Sequence, residues 1–164
     1  MKVMGVDLGI RKIAYSVWDD WLLTHTEAFT HEGNSRGEEL EEVSNFLTDA
    51  VRLHQVDHVF IEETLLGNNV KYSIQLAQMM GACLANLHLV TLDMTLGVYT
   101  VNVSTWKKEV LRNGNASKDL IQKHITSIDS AYAVLCGYDQ DRFDAACIGY
   151  YGTLIADRAL EVSG

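Results

Sequence analysis

Lys2-Val3-Met4-Gly5-Val6-Asp7-Leu8-Gly9 is a short run of apolar and small residues that ends on one carboxylate and a glycine. The absence of polar alternation predicts a strand covered on both faces. Asp7 then falls at the strand's carboxyl end, and Gly9 allows a tight exit. A carboxylate seldom stays buried unless it is paired or bound to a metal. Asp7 is therefore either a turn residue after an edge strand or the first ligand of an acidic metal site. The remainder of the chain decides.

Val56-Asp57-His58-Val59-Phe60-Ile61-Glu62-Glu63 repeats the pattern, a β-branched and aromatic run closing on acids. Between the two runs, Ile13–Trp18 and Trp21–Thr26 flank Asp19-Asp20 at hairpin spacing. Leu40, Val43, Leu47, Ala50 and Val51 recur at helical spacing over 36–54, with four glutamates, Glu38, Glu39, Glu41 and Glu42, as a solvated face near its start. A long helix is expected over 71–89, where Ile74, Ala77, Met80, Gly81 and Leu84 form a face suited to close packing, in the core or on a second copy. A strand over 97–103 and short helices over 105–112 and 117–128 follow, the last with Ser117 as N-cap. The final helix starts near Gln140 and runs to about Leu160. Asp141 and Asp144 share one of its faces, Asp139 only ends the preceding loop, and Ala145, Ile148, Gly149, Gly152 and Ile155 make a small apolar face that could pack on the sheet.

The 164 residues fit one domain, 1–164, with a sizeable core. Charged residues interrupt the start before any signal-like apolar run, and the most apolar region, 82–99, contains His88 and Asp93 and reads as helix, turn and strand. Three widely spaced cysteines, Cys83, Cys136 and Cys147, suggest buried thiols in a reducing, cytoplasmic compartment. The net charge of −9 argues against indiscriminate nucleic-acid affinity. The charge is polarised, however. Lys107, Lys108, Arg112, Lys118 and Lys123 outweigh Glu109 and Asp119 in one segment, which either meets phosphates or is a solvated helix surface.

Asp7, Glu62, Asp141 and Asp144 would repel one another unless protonated or neutralised by a cation. All-oxygen ligands suit Mg²⁺, with Mn²⁺ as substitute, and a pair of such ions suits in-line phosphoryl transfer. The ordered set M-G-V-D-L-G-I-R, F-I-E-E, S-I-Q-L-A-Q-M-M-G-A, N-A-S-K and D-R-F-D-A-A resembles the RuvC-type Holliday junction resolvases of the ribonuclease H-like superfamily over nearly the whole chain. The resemblance implies an α/β fold with a mixed five-stranded sheet flanked by helices, and a dimer through the 71–89 helix. It also implies a junction-resolving endonuclease with Asp7, Glu62, Asp141 and Asp144 as the acids that bind two Mg²⁺. Lys107 and Lys118 fall where that family carries lysines for DNA handling. Lys108 and Arg112 share their segment, and Arg11, Lys12, Lys71 and Tyr72 are DNA-contact candidates by position.

One departure stands out. The bacterial family has an aromatic residue soon after the glutamate strand, whereas this chain has Thr64, Leu65 and Leu66, so that Leu65 is at most an apolar wedge. The compact, cysteine-poor form resembles a phage-encoded member, which would work in the host cytoplasm. Three other functions remain open: a broader flap or fork endonuclease, a non-catalytic junction binder, and an actin-like ATPase. The last draws on the D-x-G strand followed by Arg11 and Lys12, but 164 residues do not hold its usual second half.

Overall fold

A computed structural model describes residues 1–63 and 69–163, the side chains of 161–163 excepted. Its sheet has five strands in the order β3-β2-β1-β4-β5, namely β1 Lys2–Leu8, β2 Lys12–Asp19, β3 Leu22–Thr30, β4 His58–Glu62 and β5 Gly97–Val101. The first three pair antiparallel, while β4 lies parallel to β1 and β5 parallel to β4. Among the described residues six helices accompany them: α1 Arg36–His54, α2 Val70–Val90, α3 Val103–Leu111, α4 Lys118–Ile128, α5 Ala131–Leu135 and α6 Gln140–Ser163. This is the mixed sheet flanked by helices that the sequence led us to expect. Among the described residues no helix is long and apolar enough to cross a membrane.

The pleat sorts the side chains of β1 by parity. Met4, Val6 and Leu8 join a core with Val43, Leu47 and Val51 of α1 and Met79, Cys83 and Leu87 of α2. Val3 joins the opposite core, with Trp106, Ile121, Phe143 and Ile148 from the α3–α6 side. Gly5 and Asp7 share the parity of Val3, so Asp7 points toward the α6 layer. On β4, Val59 and Ile61 face α1 and α2, whereas Phe60 belongs to the other core and Glu62 shares its parity. The register pairs Val6 with Ile61, leaving Asp7 and Glu62 at adjoining strand ends on one face.

Close approach of backbones sets α6 on that face. A Cβ on Gly5 would stand 2.1 Å from the Gly149 amide nitrogen, so β1 and α6 meet where neither has a side chain. Two buried hydrogen bonds fix the helix along its axis. Ser16 Oγ donates to the Ala145 carbonyl at 2.7 Å, and Trp18 Nε1 donates to the Ala146 carbonyl at 3.0 Å. The small apolar face expected of this helix thus meets β1, β2 and β4, and it delivers the helix's first turn to the strand ends.

The expected 71–89 face divides in two. Met80 is buried and Leu84 packs against the α1–α2 core. Ile74, Ala77 and Gly81 are exposed, with nothing within 4 Å of a Cβ on Gly81. The short helix α5 was not expected. Its five residues are too few for periodicity to register, and it is held by Tyr132, whose hydroxyl accepts from the Leu23 amide at 3.2 Å.

Candidate functional site

The two strand ends and the start of α6 bring carboxylates from distant parts of the chain together. One oxygen each of Asp7, Asp141 and Asp144 lies within 4.8 Å of the others. Glu62 stands beside this cluster, raising Asp7 by its charge, and its Oε2 accepts from Nε1 of the buried Trp106 at 2.8 Å. Gln140 Nε2 donates to Asp144 Oδ1 at 2.8 Å, a contact one helical turn apart. Asp139 does more than close a loop. Its Oδ1 accepts from the amides of Asp141 at 3.0 Å and Arg142 at 3.3 Å, capping α6.

The electrostatics are those of a site short of positive charge. Burial first, then repulsion from Asp144, Glu62 and Asp141, lifts the Asp7 carboxyl well above its ordinary range, with Lys118 opposing. Burial also raises Glu62, against the Trp106 hydrogen bond and the Lys107 charge. Asp144 is raised by burial, against Gln140, Lys118 and Lys107. Three acids shifted toward their neutral forms by their own surroundings form an all-oxygen set whose charge a hard divalent cation would balance. Such a group fits Mg²⁺ or Mn²⁺ better than a soft metal.

The expected DNA-contact residues distribute unevenly. Lys107 and Lys118 lie close enough to act on the acids, Lys118 from the first turn of α4 after the Ser117 cap. Arg11, Tyr72 and Lys12 line one cleft with Asp7 and Asp141. An adjoining cleft, sharing Arg11 and Gln75 with the first, carries Lys71 and His31. Lys108 is exposed. Arg112 and Lys123 line a separate cleft between α3 and α4. Leu65 lies outside the described residues. The ammonium of Lys12 pairs with Asp139 and Asp141, so it is engaged by the acids and not held outward for phosphate.

The sequence reading missed Trp106 and Gln140 as supports of Glu62 and Asp144. The second was legible in principle, since Gln140 precedes Asp144 by four residues on one helix. The first joins α3 to β4, and no local pattern announces it.

A mixed sheet in this strand order, with acids gathered at β1, β4 and the covering helix, defines a ribonuclease H-like domain. The chain belongs to the RuvC family: the model described as crossover junction endodeoxyribonuclease RuvC matches residues 3–133, which include Asp7, Glu62 and the basic segment. Similarity to the RuvC of Ruegeria pomeroyi extends over 99% of both chains at 27% identity, and so spans Asp141 and Asp144. Among solved structures, Thermus thermophilus RuvC superposes with a TM-score of 0.75 at 16% identity, covering 97% of each chain. The same protein in complex with Holliday junction substrate gives 0.74 at 16% identity, covering 96% of each.

Proposed function

We propose that this chain is a divalent-metal-dependent endodeoxyribonuclease that resolves four-way (Holliday) DNA junctions by paired nicks. The observation that carries the reading is the meeting of Asp7, Asp141 and Asp144 under the influence of Lys107 and Lys118. Membership of a family described as crossover junction endodeoxyribonucleases supports it, as does the fold shared with a RuvC that has been captured on a Holliday junction.

Asp7, Asp141 and Asp144 would hold Mg²⁺, or Mn²⁺ in its place, with Glu62 completing the set from β4. Bound there, such ions would activate water and offset charge on the leaving oxygen in phosphodiester hydrolysis. The chain's own residues prepare that step. Trp106 and Gln140 orient two of the carboxylates, and the α6 packing keeps Asp141 and Asp144 at a fixed height over Asp7. Lys107 and Lys118 draw phosphate toward acids that would otherwise repel it. Arg11 and Lys71 would contribute positive charge to the adjoining clefts.

Four-way junctions have approximate twofold symmetry, and a twofold dimer would offer two such sites to two strands of like polarity. The exposed stripe of Ile74, Ala77 and Gly81 on α2 is the surface we assign to that dimer.

The test is nicking of synthetic four-way DNA with Mg²⁺, compared with flap, fork and linear duplex. Symmetric incisions in opposed strands are expected, and they should disappear in Asp144→Asn while junction binding persists. Undiminished cleavage by that variant overturns the assignment. Comparable rates on all branched substrates would favour a broader branched-DNA nuclease, a reading motivated by Leu65 standing where an aromatic residue is usual in the family.

A further inference from the structure

Lys12 is turned back into the acid cluster. Its Nζ pairs with Oδ2 of Asp139 and lies 2.9 Å from Oδ2 of Asp141, and the three side chains are 31%, 29% and 37% exposed. The backbone that delivers it has little freedom. The Gly9 amide donates to the Lys12 carbonyl at 3.0 Å, and a Cβ on Gly9 would stand 2.6 Å from that oxygen. The β1–β2 turn is therefore closed tightly, and Lys12 emerges beside the strand end that carries Asp7. Asp139 is equally fixed, since its other oxygen caps α6.

Asp141 therefore serves two partners at once: its Oδ2 pairs with the ammonium of Lys12, and one of its oxygens clusters with those of Asp7 and Asp144. A divalent ion and an ammonium on one carboxylate repel each other, so an ion entering the cluster works against Lys12. Asp139 changes what that displacement costs. Because it already holds the ammonium, Lys12 can leave Asp141 without losing its last partner.

We propose that Lys12 is a built-in competitor for the metal centre, and that Asp139 is the partner that retains it when a divalent ion takes Asp141. In the metal-free protein Lys12 screens Asp141. On metal binding its pairing shifts wholly to Asp139. Lys12 and Asp139 are positioning residues, acting through Asp141 on the ion concentration at which the site fills. The inference rests on the metal-centre reading above.

Mn²⁺ titration of the full-length, DNA-free protein, read by the EPR signal of unbound Mn²⁺, tests it without recourse to cleavage. Lys12→Met and Lys12→Gln should each bind Mn²⁺ about fivefold more tightly than wild type, the scale of a partly exposed charge pair. Asp139→Asn keeps the capping oxygen, and should weaken binding about fivefold when Lys12 is present. In the Lys12→Met background the same change should shift binding less than about twofold, the mark of coupling between the two residues. Wild-type affinity in both Lys12 variants overturns the proposal. So does an equal loss from Asp139→Asn in both backgrounds, which would make Asp139 a simple long-range charge. Saturable wild-type binding that is lost in Asp7→Asn but indifferent to Lys12 leaves the metal centre intact and overturns this inference alone. No saturable binding by the wild type overturns both.

Discussion

The indole Nε1 of Trp106 donates to Oε2 of Glu62 across 2.8 Å, joining the first turns of α3 to the end of β4. Trp106 is almost wholly buried, and its ring is also approached by Lys107, whose Nζ lies 5.4 Å from the ring centroid. One side chain therefore sets both the direction of an acid and the neighbourhood of a base.

Trp106→Phe keeps most of the apolar volume and removes the donor. With Glu62 in the proposed metal set, losing its outer partner should cost about 10–100-fold in affinity or activity. The expected result is a fall of that size in nicking rate on four-way DNA, with thermal unfolding still cooperative. A Trp106→Phe variant with a wild-type rate would show that Glu62 needs no orienting hydrogen bond.

The contact between Gly5 and Gly149 sets the height of α6 over the sheet. A methyl at Gly5 would fall 2.1 Å from one backbone nitrogen and 2.3 Å from the Ala145 carbonyl oxygen, and backbone cannot step aside as a side-chain tip can. Gly5→Ala should destabilise the fold by about 3 kcal/mol, at the upper end of ordinary overpacking, and should lift Asp141 and Asp144 from Asp7. Urea unfolding measures the first effect, and loss of Mn²⁺ binding in the folded fraction measures the second. A change under about 1 kcal/mol would mean that the helix shifts freely, contrary to the rigidity of packed interiors.

Much of this arrangement was legible in the chain because it depends on local pattern. Unalternating runs before Asp7 and Glu62 marked central strands, and the three-residue step from Asp141 to Asp144 marked one helical face. What stayed hidden depends on contacts between elements. Nothing near Lys12 announces that Asp139, 127 residues later, will receive its ammonium, and Trp106 looks like any core aromatic until β4 is beside it. The division of the α2 face had a similar cause. Periodicity identifies an apolar stripe, but only the position of α1 decides that Met80 turns inward while Ile74 and Gly81 stay outside.

That outward stripe lets folding and self-association be measured apart. Gly81 sits mid-helix with open space around it, so Gly81→Ala should stabilise the isolated chain by about 0.5–1 kcal/mol through helix propensity alone. If α2 pairs with its copy, the added methyl and Ile74→Glu should each weaken self-association. Sedimentation across a concentration series checks this, with urea unfolding of the monomeric species as control. Unchanged association in Ile74→Glu would remove α2 from the interface.

Asp7 ties stability to pH in a direction opposite to that of a salt-bridged carboxylate. Its folded-state pKa is raised well above the ordinary 3.8, chiefly by burial and then by repulsion from Asp144, Glu62 and Asp141. The unfolded chain releases this proton near the ordinary value, while the metal-free folded chain keeps it to higher pH. Between those two points the native state binds more protons, so unfolding free energy falls as pH rises, and the contribution is intact only below the ordinary carboxylate range. Asp7→Asn removes the term, and the difference between wild type and variant isolates it from the other titrating groups. In EDTA, the stability advantage of the variant should grow from pH 5 to pH 8. Mg²⁺ at about 100 times its dissociation constant should restore about 2.7 kcal/mol to the wild type at pH 8, and less at pH 5, where protons compete for the same oxygens. Denaturant unfolding at the two pH values, with and without Mg²⁺, gives all four numbers. An advantage that shrinks as pH rises would mean that Asp7 is stabilised as the anion, and that the cluster holds its charge without a cation.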